Sequence, residues 1–123
     1  MPLSSAARSC LLASIFAAAG GGCVATQGDT AAGRASALAT TVSRAVACRA
    51  GTPPRTTLER FVAAEQARGT SEADLAAARS AYVTVSEAET INQGIRPQPC
   101  TAEERAALRA RMGEIRAGRF EAP

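Results

Sequence analysis

The sequence predicts an all-α fold: a small bundle of three to four short helices behind an N-terminal signal segment, stapled by one disulfide. Three observations carry that prediction. Beyond residue 30, apolar residues recur three and four positions apart, the period of a helix face. Capping residues, Gly and Pro divide those stretches into short segments. No run alternates apolar and polar residues over a strand's length. "AYVTVS" (Ala81–Ser86) comes nearest, but it sits inside a helical pattern without turn residues.

The opening segment is the first element to place. "MPLSSAARS" carries a single charge, Arg8, and "LLASIFAAA" follows as a nine-residue apolar run. Three glycines and Cys23 close it. These are the proportions of an export signal, and the run is too short to cross a bilayer as a helix. "GGGC" resembles the lipobox of bacterial lipoproteins. Gly21 and Gly22 take the small positions, Cys23 takes the position of the lipid-bearing cysteine, and Gly20 stands where that family usually has Leu. The resemblance implies a signal over residues 1–22 and a membrane anchor through a lipid on Cys23. Ordinary cleavage after Ala25 competes, as does cleavage after Ala19, which leaves three thiols in an oxidising compartment. Residues 23–29 read as a flexible tether, 30–119 as the helical domain and 120–123 as a tail.

A first helix is expected over Ala31 to about Arg49, capped by Asp29 or Thr30. Ala35, Leu38, Val42, Ala45 and Val46 share one face. Gly51 and Pro53-Pro54 end it. Cys48 lies in the last turn, about 80° to 100° off the middle of that face. Thr56 and Glu59 have capping-box spacing for a second helix reaching about Arg68, with Leu58, Phe61 and Val62 inward and Gly69 as the stop. Ser71 and Asp74 open a third, expected to end near Asn92 before Gly94. Leu75, Ala78, Tyr82 and Val85 line it. Pro97 and Pro99 force "GIRPQPC" to be extended. Thr101 and Glu104 repeat the capping box for a last helix to about Ala117, with a stripe of Leu108, Met112 and Ile115.

The large apolar side chains are few. Of 123 residues only one is Tyr, three are Phe and none is Trp, so a core this thin benefits from a covalent staple. Cys48 and Cys100 are the pair left once Cys10 and Cys23 are assigned to the signal and its processing site. A bond between them is the expected staple in an exported protein. No C-x-x-C, His or Lys supports redox or nucleophilic chemistry at either sulfur, and two Cys without His cannot fill a zinc site.

Charge narrows function further. All 14 basic residues are Arg, against 11 acids, for a formal +3. Arg-only usage with abundant Ala and Gly points to a GC-rich bacterial genome. The near-balance gives no basis for nucleic-acid binding. The absence of His excludes triads built on it. Glu87 with Glu89 and Glu103 with Glu104 are spaced two apart and adjacent, so neither pair converges as a catalytic dyad. No catalytic residue, cofactor or metal is expected. Arg105, Arg109, Arg111 and Arg116, with Arg119 beyond them, are the candidate interaction surface for a protein partner in the envelope. Their position toward the helix end also suits the macrodipole without a partner.

The functional expectation is a small exported, periplasm-facing protein of the lipoprotein type, with a structural or protein-interaction role and no enzymatic activity. The alternative is a soluble periplasmic binding or chaperone-like protein released after Ala25. Its size, its cysteine separation and the helix opening "CTAEER" are similar to the acid-stress chaperones of enteric periplasms, a resemblance that implies a helical client-binding protein.

Overall fold

The computed structural model describes residues 29–121. The expected signal, the lipid site at Cys23 and all of the tether but Asp29 lie outside the described residues. Within them the chain forms four helices and no strand: α1 (Ala31–Ala47), α2 (Thr57–Ala67), α3 (Glu72–Ile95) and α4 (Ala102–Arg116). No helix among the described residues is long and apolar enough to cross a membrane.

Three of the four expected caps form. Thr30 Oγ1 accepts from the Gly33 amide at 2.9 Å, Ser71 Oγ from Asp74 at 3.2 Å and Thr101 Oγ1 from Glu104 at 3.0 Å. Thr56 does not cap α2. Its backbone has ψ of 5° rather than the extended value a capping side chain needs. Thr57 instead donates its hydroxyl to the Pro54 carbonyl at 2.7 Å, so a turn started by the prolines runs directly into the helix. The expected stop at Gly94 also gives way: α3 continues through it to Ile95. Gly tolerates helical backbone at a cost of about 1 kcal/mol, whereas Pro97 excludes the helical region for Arg96 outright.

Three helices end in the same paired hydrogen bonds. After α2 the Gly69 amide donates to Gln66 O and Thr70 to Glu65 O. After α4, Gly118 donates to Ile115 O and Arg119 to Glu114 O. This is the Schellman closure, which needs a left-handed residue at its centre. Gly69 and Gly118 supply it with φ of 88° and 83°. After α1 the same bonds form (Arg49 to Val46 O, Ala50 to Ala45 O), but the central residue is Arg49, at φ 53°.

Alanine governs how the helices pack. The inward face of α1 is Ala31, Ala35, Leu38, Ala39, Val42 and Ala45, all buried. Small side chains let α3 lie along most of its length, through Leu75 and Ala78. α2 and α3 form an antiparallel hairpin through the Gly69 turn, with Arg79 of α3 on Glu59 of α2 at 2.7 Å. Phe61, Met112 and Ile115 are the largest fully buried side chains. Each contributes about 1.5–3 kcal/mol on burial. Phe120, expected in the tail, packs edge-on against Phe61 with ring centroids 5.7 Å apart.

Cys48 closes α1 and Cys100 immediately precedes the α4 cap. The two are disulfide-bonded, with Cα atoms 5.6 Å apart. The rim position expected for Cys48 is a buried one, at 2 % exposure.

Candidate functional site

A half-open groove of about 850 Å³ lies between α2, α4 and the turn that follows α4. Small residues create it. Ala64 and Ala67 on α2 face Ala107 and Ala110 on α4, so the two helices present little side chain across the gap. Phe61 and Phe120 form the apolar base. Arg111 anchors the turn over one end: its guanidinium donates to the carbonyls of Arg119 at 3.2 Å and Phe120 at 2.7 Å.

The rim is charged and largely paired. The Glu65 carboxylate is 3 % exposed and takes a two-point bond from Arg34, Nε at 2.8 Å and Nη2 at 2.6 Å. Thr70 Oγ1 adds a third donor at 2.9 Å, and Arg68 stands 4.0 Å away. The Arg34 bond is the main reason the Glu65 carboxyl lies below the ordinary carboxylate value. Burial opposes it, and Thr70 and the positive charges of Arg34 and Arg68 reinforce it. Glu114 is likewise held low by its hydrogen bond to Arg119. Arg68 bonds Glu121 at 3.1 Å. Carboxylates held ionised in this way make poor general acids. Apolar walls with a few fixed charges are suited to holding a ligand.

The disulfide end carries the second polar cluster. Arg44 binds Glu104 with Nε at 2.6 Å and Nη2 at 2.9 Å, and donates to the carbonyls of Gln98 and Pro99. Arg44 is the principal cause of the lowered Glu104 carboxyl, and the Thr101 amide of the capping box contributes. The sulfurs of Cys48 and Cys100 and the Glu104 carboxylate lie within 4.8 Å of one another. Metal binding needs thiolates, and these sulfurs are bonded to each other.

The arginines singled out in the sequence differ in what they hold. Arg105 donates to Cys48 O at 3.0 Å and Arg116 to Thr52 O at 3.2 Å, so both secure the loop between α1 and α2. Arg111 holds the groove turn, and Arg119 pairs with Glu114. Arg109 is exposed and makes no ion pair or hydrogen bond among the described residues. The groove itself escaped the sequence reading. Its only linear trace is alanine at positions 64, 67, 107 and 110, and alanine also fills the buried face of α1. No known protein family, curated protein or solved structure matches the chain.

Proposed function

We propose that the protein is a small exported component of a bacterial cell envelope, anchored through a lipid on Cys23, that acts by binding rather than by catalysis. The observation that carries this reading is the Cys48–Cys100 disulfide in a domain whose core is rich in alanine. Such bonds form and persist in oxidising compartments, and they matter most where apolar burial is small. The apolar run ending in "GGGC" supplies a route to that compartment. The groove between α2 and α4 is the working face of the domain.

Intact-mass analysis of the mature protein from an exporting bacterial host, with detergent partitioning of the parent and a Cys23→Ser variant, tests the reading. The expected result is a diacylated or triacylated N-terminus at Cys23, partitioning into detergent that the variant loses, and a mass two hydrogens below the dithiol. An unmodified N-terminus at Thr26 with both proteins aqueous refutes the anchor and leaves a soluble exported protein. A cytoplasmic, uncleaved product with all four cysteines as free thiols refutes export as well.

A further inference from the structure

The charges around the groove do not cancel. Arg34 is taken by Glu65, Arg68 by Glu121 and Arg119 by Glu114. Arg111 is the fourth guanidinium of the lining, and its hydrogen-bond partners are two neutral carbonyls. A guanidinium has five N–H donors, so three remain. Arg111 and Phe120 also line an adjoining recess of about 640 Å³ that opens beside Asp29. One end of the apolar trough is therefore marked by a cation within reach of water.

We propose that the groove binds a single-chain anionic amphiphile of the fatty-acid class, with its alkyl chain against Phe120, Ala64, Ala107 and Ala110 and its carboxylate at Arg111. The volume lies in the range of about 300–1,000 Å³ typical of small-molecule sites. The alanine walls bury methylenes without hydrogen-bonding demands, and Arg111, the guanidinium of the lining with no carboxylate hydrogen bond among the described residues, selects the sign of the head group. The inference rests on the groove being the working face and does not depend on the lipid anchor.

Titration calorimetry of the disulfide-intact protein with decanoate, dodecanoate and dodecyltrimethylammonium, each below its micelle concentration, tests it. Dodecanoate is expected to bind more tightly than decanoate, by up to about fourfold per added methylene. The cation of equal chain length is expected to bind at least about tenfold more weakly. Ala110→Glu places a negative charge on the exposed wall of α4 and is expected to weaken dodecanoate at least about tenfold while helical content and melting temperature hold. Arg111→Lys should keep the preference for the anion, and Arg111→Gln should lose it. Equal binding of anion and cation, unchanged binding by Ala110→Glu, or no binding of either acid overturns the proposal. Cys23→Ser protein is expected to titrate as the parent does, so failure here and failure of the anchor are separate results.

Discussion

Replacing Arg34 by Ala is expected to be among the most damaging single changes that leave the apolar core untouched. The reason is its partner. The Glu65 carboxylate is 3 % exposed, and two of its three short hydrogen bonds come from Arg34. The substitution leaves a buried anion with Thr70 and a guanidinium 4.0 Å away. Removing one partner of a buried pair costs about 3–5 kcal/mol. The Arg34 side chain is itself 27 % exposed, so water replaces part of what is lost, and about 2–3 kcal/mol is the working figure. For a domain of this size that lowers the melting temperature by roughly 10–20 °C. Urea denaturation at pH 7 reads it as a fall in midpoint at unchanged slope. Arg34→Met combined with Glu65→Leu should recover most of the loss, because no buried charge remains. A loss below about 0.5 kcal/mol for Arg34→Ala would place the pair among exposed salt bridges and refute the reasoning.

Four further outcomes follow from particular groups. Glu65, Glu104 and Glu114 are all held below the ordinary 4.5 by hydrogen bonds from Arg34, Arg44 and Arg119, so the unfolded chain takes up their protons first on acidification. Urea midpoints should hold between pH 6 and 8 and fall as pH drops below about 4.5 and through the lowered folded values; a flat acid limb would contradict the pairing. Burial pushes the Tyr82 hydroxyl above 10.0, so a second fall should begin above that pH and vanish in Tyr82→Phe. Reducing the disulfide reopens a span of 52 residues and should cost about 4 kcal/mol by chain entropy, visible as a lower urea midpoint with reductant present; a change under about 1 kcal/mol would reject its role as a staple. Gly113 is helical with nothing within 4 Å of an added Cβ, so Gly113→Ala should stabilise by about 1 kcal/mol, while Gly69→Ala, at φ 88°, should destabilise by about 1–2 kcal/mol; the same sign in both thermal melts would refute the assignment.

What was legible in the sequence shared one property: short range. Thr30, Ser71 and Thr101 each cap an amide three residues on, and that bond needs only local backbone. Pro97 acts on its immediate neighbour. The Cys48–Cys100 bond joins distant residues, but beyond residue 30 the sequence holds just these two cysteines. Where two local signals conflicted, the sequence reading went astray. Thr56 had the right spacing for a cap, yet the turn begun at Pro54 fixed its backbone in a shape that cannot cap.

The sequence by itself determined that the described residues are helical, where most of their helices begin, and which two sulfurs beyond residue 30 could join. Only the tertiary structure decided which charges are buried and where a ligand could sit. Arg34 and Glu65 are 31 residues apart, and Arg44 and Glu104 are 60 apart. Many arginines and acids could be paired on paper, and helix packing selects among them through positions a few ångströms apart. The same holds for the alanines. On α1 they allow α3 to approach closely, while between α2 and α4 they leave a groove. One methyl side chain serves both ends, because whether it closes or opens a gap depends on how far away the facing helix is held.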